Sequence, residues 1–374
     1  MNNLNNIKSI HFSGLGRMHL RNIDDYGISE FVGFVMVFLI ATTAVSMLIF
    51  WGAPTMEDKK ASISAESALL QFDAMNHMID DAFGGGVSSY SSKITDFKFA
   101  GGNTNLDEKG TRFVLFYSVY DYGGSTQIAN MFDFEVTGLD DTDSAFFFTL
   151  KSAKNPSPVT LEFDARNLVT RQISIASIGI AKDETKPVGF GFSLTDALRI
   201  DIFRTGPREY YGCIWLFDVG SIVFQTTAPS GIYESILENG GVISGHLGNY
   251  YLNKEPKSWP WTLLDGNSMI SMRILQIRRN PSSTVSSISG TSTAEFSIKP
   301  RSSTVEASNV HLFSNFKMKI HGSRSSAWRS YYINNLGFEY NQASDFLFLR
   351  TQDGTNFLFS LNRAVCYFTM EVKK

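Results

Sequence analysis

Two groups of residues have a spacing that could hold a metal ion: a histidine followed by two acids, and a short acidic segment. Asp80 and Asp81 follow His77 by three and four residues, so a helix would place them on one face. The acids of segment 140–143 supply oxygen atoms, the ligands that hard cations prefer. A solvated helix face and a polar turn between strands explain the two groups more simply. We therefore predict no metal site and no cofactor.

Nucleophilic catalysis has no recognisable set of residues in the sequence. Ser314 and Lys317 have Ser-x-x-Lys spacing, but they lie in a strand-like stretch. Cys213 and Cys366 lie in apolar strands with no histidine close to them in sequence. Outside the cell these two cysteines could form a disulfide, and burial as two free thiols is the alternative. We predict no catalytic residues, so the protein is not expected to be an enzyme.

Composition excludes several classes of protein. The chain has 374 residues, enough for two or three structural units with their own cores. Its 33 basic and 36 acidic residues give a net charge of −3, which argues against a nucleic-acid partner. Aromatic residues make up 13%, too many for a disordered chain. Two cysteines are too few for a disulfide-dense scaffold.

One segment near the N-terminus is long and apolar enough to cross a membrane. Phe31–Trp51 contains no charged residue and would form about 30 Å of helix, the thickness of a bilayer core. A cleaved signal peptide is the alternative, but its apolar region usually has only about 7–15 residues. Arg17 and Arg21 precede the span and Lys59 and Lys60 follow it, so charge does not set the orientation. We therefore expect a single-pass cell-membrane protein in contact with lipid. The large part of the chain after the span, which we call the head, is strand-rich and cysteine-poor, so we expect it to lie outside the cell.

A polar leader precedes the span. Gly27 abuts the apolar run, which opens with the sequence ISEFVGF at Ile28–Phe34. A polar leader, a small residue, and then an opening of Val or Ile, Ser, an acid, two apolar residues and Gly resemble an archaeal type IV prepilin. The resemblance implies that residues 1–27 are a cytoplasmic leader and that a prepilin peptidase cuts between Gly27 and Ile28. Tyr26 stands where this family usually has Lys or Arg.

The first mature residues are candidates for a role in assembly. The dipole at a helix N-terminus favours an acid, so Ser29 and Glu30 would find partners there. An acid within a bilayer is otherwise costly, although Glu30 could simply lie at the cytoplasmic interface. Gly33 would let helix backbones approach closely, as small residues do in membrane helices.

The span is predicted to continue as a second, amphipathic helical half. Gly52-Ala53-Pro54 predicts a kink. Within Met56–Phe83, apolar residues recur every three or four positions and define one helix face: Ala65, Leu69, Phe72, Met75, Ile79 and Phe83. A run of three glycines from Gly84 predicts the end of the helix. The resulting stalk, residues 28–83, has the plan of a pilin helix, and a plain anchor followed by a docking helix is the alternative.

The remaining residues, 87–374, read as strands. Short apolar or alternating segments are separated by Gly, Asn, Asp and Ser, and no long helical periodicity is visible apart from a short turn at Ile232–Leu237. Ser282–Thr293 reads as a flexible loop. The predicted fold class is α+β, with a long N-terminal helix and a mainly antiparallel β-sandwich head of one or two stacked sandwiches.

The resemblance extends to a euryarchaeal group of pilin-like surface proteins with large heads. The segments that carry it in the head are Tyr233–Ile243, the prolines Pro256 and Pro260, and Ala327–Tyr331. It implies a structural subunit, minor or large-headed, of a type IV pilus-like surface filament. Other pilin subunits and the assembly machinery would be its partners. The alternative is a membrane-anchored binding module or adhesin, whose contacts would include Trp259, Trp261 and Trp328 unless these pack in the core.

Overall fold

A computed structural model describes residues 23–84, 92–98, 101–118, 135–142, 145–152, 155–164, 189–194, 197–203, 210–256, 259–262, 268–290, 293–312, 315–343, 345–350 and 357–372. The chain divides into two compact units, residues 1–57 and 58–374. The amphipathic half of the predicted stalk therefore belongs to the same unit as the strands.

Helix α1 spans Ile23–Gly84, with Pro54 inside it. The described part of this helix includes Asp24 and Asp25, which precede the predicted mature N-terminus at Ile28. The described helix extends to Gly84, the first of the three glycines, and the residues that follow it lie outside the described part.

The other elements are short and mostly strands. In chain order they are β1 (Lys93–Lys98), β2 (Asn103–Asp107), β3 (Arg112–Ser118), β4 (Glu135–Thr142), β5 (Ala145–Ser152), β6 (Asn155–Asp164), β7 (Gly189–Leu194), β8 (Leu198–Phe203), β9 (Tyr210–Asp218), β10 (Ser221–Ala228), β11 (Gly231–Glu238), β12 (Gly241–His246), β13 (Asn249–Lys254), β14 (Trp259–Thr262), β15 (Ser268–Arg279), β16 (Ser287–Ser289), β17 (Thr293–Leu312), β18 (Asn315–His321), α2 (Ser325–Leu336), β19 (Glu339–Asn341), β20 (Phe346–Arg350) and β21 (Phe357–Val372).

The described strands form four sheets. Their orders are β1-β17-β21-β15-β14, β13-β12-β11-β10-β2-β16, β19-β20-β18-β3-β9-β8-β7 and β4-β5-β6. Neighbouring strands run antiparallel, except that β15 and β21 pair in parallel over twelve residues, from Ser268 opposite Phe357 to Arg279 opposite Phe368. The α+β fold class, with a long helix and a mainly antiparallel head, is confirmed.

Several local expectations for the head were wrong. Ile232–Leu237 lies in strand β11 and forms no helical turn, because its residues pair with both β10 and β12. Part of the Ser/Thr-rich loop forms the short strand β16, and Asp140 and Asp141 lie within β4 instead of a turn. Residues 171–181, where apolar and polar residues alternate and predict a strand, lie outside the described residues.

Helix α2 was also not expected. Its buried residues have helical spacing, but they alternate with Ser, Asn and Arg, and its aromatic residues have modest helix propensity. The helix ends where Gly337 adopts a left-handed conformation with φ of 70°.

Two hydrophobic clusters fill the second unit. The first joins α2 to the seven-stranded sheet, through residues such as Trp328 and Phe113. The second lies around Phe72 of α1 and includes Phe296 of the five-stranded sheet. Strand β11 contributes Ile236 to the first cluster and the adjacent Leu237 to the second. Both faces of this strand are therefore buried, which fixes α1 and α2 to opposite sides of it.

Candidate functional site

The N-terminal half of α1 is an apolar helix surface. Among the described residues, α1 is the one helix long and apolar enough to cross a membrane, which fits a single-pass membrane protein. Its large apolar side chains from Phe31 to Trp51 are exposed, including Phe34 and Phe50. Exposed apolar area on this scale needs a lipid or protein environment.

The residues predicted to act in processing and assembly lie at the start of this surface. Gly27, Ile28 and Ser29 are helical, and their side chains lie outside the described part of the structure. Glu30 is exposed. A Cβ atom placed on Gly33 would meet no atom within 4 Å beyond its sequence neighbours and the adjacent backbone of its own helix. The space beside Gly33 is therefore open to another helix or to lipid.

The C-terminal half of α1 buries one face against the sheets. Phe72 and Ile79 are fully buried, and Ala65, Ala68 and Met75 are nearly so. Leu69 and Phe83 are partly buried and pack against the same cluster. The apolar face predicted from the sequence is confirmed.

Polar contacts fix this docked face along its length. The Ser235 hydroxyl donates to the Ala65 carbonyl at 2.7 Å, and the Asn76 amide donates to the Gly240 carbonyl at 2.7 Å. Further along the helix, Arg273 donates to Asp80 at 2.7 Å. These bonds fix the position of the helix along the sheet, which apolar contacts alone do not specify.

A further contact marks the first residue of the second unit. One carboxylate oxygen of Asp58 accepts hydrogen bonds from the Ser230 backbone N–H at 3.0 Å and from the Ser230 hydroxyl at 2.7 Å. These bonds, helped by the nearby imidazole of His246, lower the pKa of Asp58. Ser230 lies in the turn between β10 and β11, so this turn is held against α1.

The opposite face of α1 carries a second apolar stripe that the sequence reasoning missed. Ile63 is 65% exposed and Leu70 is 71% exposed, and Met56, seven residues before Ile63, is 74% exposed. Seven residues make almost two helical turns, so Ile63 and Leu70 lie on one face, nearly opposite Phe72. On this face, Ser67 lies between Ile63 and Leu70, and Ala74 lies about one turn beyond Leu70. We call Ile63, Ser67, Leu70 and Ala74 the outer stripe; its seven-residue spacing was readable in the sequence.

The structure also contains a buried acid that no sequence motif indicated. Glu238 is fully buried, and its carboxylate accepts hydrogen bonds from Arg324 Nη1 at 2.9 Å, Trp328 Nε1 at 2.6 Å and the Thr111 backbone N–H at 3.1 Å. Burial disfavours the charge of Arg324, but Glu238 and Asp107 outweigh it, so the pKa of Arg324 is raised. The carboxylate of Glu238 is satisfied by three donors, and the network ties α2 to β11.

Of the two alternatives for the cysteines, a disulfide between Cys213 and Cys366 or two buried free thiols, the structure does not contain the disulfide. Cys366 is a buried free thiol in the five-stranded sheet, whereas Cys213 belongs to β9 in the seven-stranded sheet. Burial raises the pKa of the Cys366 thiol, which keeps it protonated and unreactive. The side chain of Cys213 lies outside the described part.

The other residues singled out in the sequence have ordinary positions. Asp80 pairs with Arg273, and His77 lies 4.0 Å from Asp73. Within the described ranges, no group of three His, Cys, Asp or Glu side chains could hold a metal ion. Trp328 packs in the core, while the side chains of Trp259 and Trp261 are outside the described part.

Comparison with known proteins gives one match. Residues 27–136 are similar to a family of unknown function, DUF7289. The matched region begins at Gly27 and covers under a third of the chain, including most of helix α1 and strands β1–β3. No curated protein and no solved structure matches the chain significantly.

Proposed function

We propose that this protein is a type IV pilin-like structural subunit, exported and membrane-anchored, and a minor or large-headed component of an archaeal surface filament. The observation that carries the proposal is the outer stripe. Ile63 and Leu70 follow the membrane-length segment and lie opposite the docked face, yet both are exposed. A helix that only anchors a head has no use for apolar residues on this face.

The outer stripe has the composition of a close helix contact. Ile63 and Leu70 alternate with the small residues Ser67 and Ala74, so a second helix could approach closely along it. Burying the exposed part of both large side chains would contribute about 2–4 kcal/mol to each helix pair. In the proposed filament, this stripe packs on the helix of a neighbouring subunit.

The start of the helix fits the same proposal. The open space beside Gly33 would admit a neighbouring helix, and cutting between Gly27 and Ile28 would place Glu30 three residues into the mature chain. Prepilin peptidase and the assembly machinery are the partners that this processing requires.

The test examines filaments sheared from producing cells. The protein should occur in the filament fraction, and its N-terminal residue should be Ile28. The Cβ atom added by Gly33→Leu meets no atom beyond its sequence neighbours and the adjacent backbone of its own helix, so the variant should leave membrane insertion intact and abolish assembly. Met36→Leu, which conserves volume at an exposed position of the same helix, is the matched control and should assemble normally.

Two outcomes contradict the proposal. Wild-type protein that stays in the membrane and never enters the sheared fraction points to the anchored binding module. Normal assembly of Gly33→Leu shows that this part of the helix is not a subunit contact.

A further inference from the structure

One turn of the head contains an unexpected leucine. The β12–β13 hairpin is closed by Leu247 and Gly248, with φ values of 53° and 78°. Two positive φ values define the turn type that Asn-Gly and Asp-Gly prefer. The adjacent β11–β12 hairpin uses that pair, Asn239 and Gly240, with φ values of 48° and 72°. Leucine rarely adopts a positive φ, so turn formation does not explain Leu247.

Core packing does not explain this leucine either. Leu247 is 64% exposed, and nearby Ile232 is also exposed. Leu247 leans over the neighbouring turn, because a Cβ atom on Gly231 would lie only 2.4 Å from its Cδ2 atom. We call Ser230–Ile232 together with Leu247 and Gly248 the hairpin tip. At the end of two hairpins it presents two exposed apolar side chains, Ile232 and Leu247, and Leu247 also has a strained backbone.

The hairpin tip is bound to a residue that follows the apolar span closely in sequence. Ser230 binds Asp58 through two hydrogen bonds. Asp58 follows Trp51 by seven residues, and seven residues of fully extended chain span no more than about 25 Å. Lys59 and Lys60, next to Asp58, are exposed. Apolar side chains beside lysines are the composition of a surface that binds anionic lipid.

We propose that the hairpin tip docks on the membrane surface, with Leu247 inserted at the level of the lipid headgroups and Lys59 and Lys60 facing anionic lipid. This inference rests on the proposed function, because it requires the apolar span to be membrane-embedded with the head beyond it. Before assembly, the contact would hold the head of each subunit against the bilayer.

The test uses a photo-crosslinking amino acid, benzoylphenylalanine, in the full-length protein. It replaces Leu247, and in a second variant it replaces Val305, an apolar residue of β17 with a matching exposure of 66%. A third variant carries it at Phe38 inside the span. Each protein is reconstituted into vesicles of phosphatidylcholine and phosphatidylglycerol and irradiated. Adducts are identified by mass spectrometry.

We expect lipid adducts at positions 247 and 38 and none at 305. Adducts at 38 but not at 247 overturn the hairpin-tip inference alone, whereas their absence at 38 overturns membrane anchoring itself. Crosslinks from 247 to a second copy of the chain, or equal lipid adducts at 247 and 305, also overturn the inference.

A substitution without the crosslinking amino acid guards against misfolding. Leu247→Asn gives the turn the residue type that it prefers, so the head should fold at least as well as the wild type. Hydrogen exchange of the amides at 246–249 should slow when the wild-type protein moves from detergent to these vesicles. The same protection should be lost in Leu247→Asn, and its persistence there would contradict lipid contact through the leucine side chain.

Discussion

Substitutions at two residues on opposite faces of α1 would distinguish docking of the helix on the sheets from the proposed subunit assembly. Phe72 is fully buried against the sheets, and Leu70 is 71% exposed on the outer stripe. Phe72→Ala should destabilise the head, whereas Leu70→Ala should leave the head stable and weaken contact between subunits. Because the two positions lie in the same helical turn, any general effect on the helix is common to both variants.

The burial of each side chain sets the size of the two effects. Removing a fully buried phenylalanine costs about 3–5 kcal/mol, including the cavity that remains. Full burial of a leucine is worth about 1.5–3 kcal/mol, and less than a third of Leu70 is buried within its own chain. Leu70→Ala should therefore cost the head less than about 1 kcal/mol. The remaining 1–2 kcal/mol, roughly, would be lost at each subunit contact, which weakens association about 5- to 30-fold.

Chemical denaturation of the purified proteins measures the free energy of unfolding, and the sheared filament fraction measures assembly. Glu66→Ala, at an exposed polar position of the same helix half, is the control and should change neither quantity greatly. If Leu70→Ala destabilises the head as much as Phe72→Ala, the outer stripe is not free in the subunit. If Leu70→Ala assembles like the wild type, the outer stripe is not the subunit contact.

Three further predictions concern the head. Glu238→Ala should lower the free energy of unfolding by about 3–5 kcal/mol, because it leaves the Arg324 guanidinium buried without its main partner. In a double-mutant cycle, adding Arg324→Ala to Glu238→Ala should lower the free energy of unfolding little further. Additive losses in the two single variants would contradict a shared network. The pKa of Asp58 is lowered from its ordinary value of 3.8. The bonds from Ser230 to the Asp58 carboxylate therefore stabilise the folded protein above pH 3.8, and this contribution is lost as the pH falls below that value. Hydrogen-exchange protection of the Ser230 amide should therefore fall in acid, and it should not do so in Asp58→Asn. Burial of the Cys366 thiol and its raised pKa predict that iodoacetamide labels this residue only after unfolding, so labelling of the native protein would contradict its burial.

The sequence was most informative where the structure depends on local spacing. The buried face of α1 around Phe72 follows from apolar periodicity within a few turns. The pair between Glu238 and Arg324 joins residues 86 positions apart, and such a pair leaves no local pattern. The outer stripe was missed for another reason. The stronger apolar face of the same helix accounted for the periodicity, so the exposure of Leu70 could be recognised only after that face was seen docked.

The position of strand β21 has a consequence for how the head folds during synthesis. It is the last strand described in the chain, yet it lies inside its sheet, between β15 and β17. Its residues Cys366, Phe368 and Met370 belong to the cluster that receives Phe72 of α1. Contacts between Phe72 and residues nearly 300 positions later in the chain cannot form until this strand has left the ribosome. In an exported protein, the strand must also have left the translocation channel. The head must therefore complete its fold late, and a nascent chain stalled before β21 would leave the amphipathic half of α1 without its docking surface.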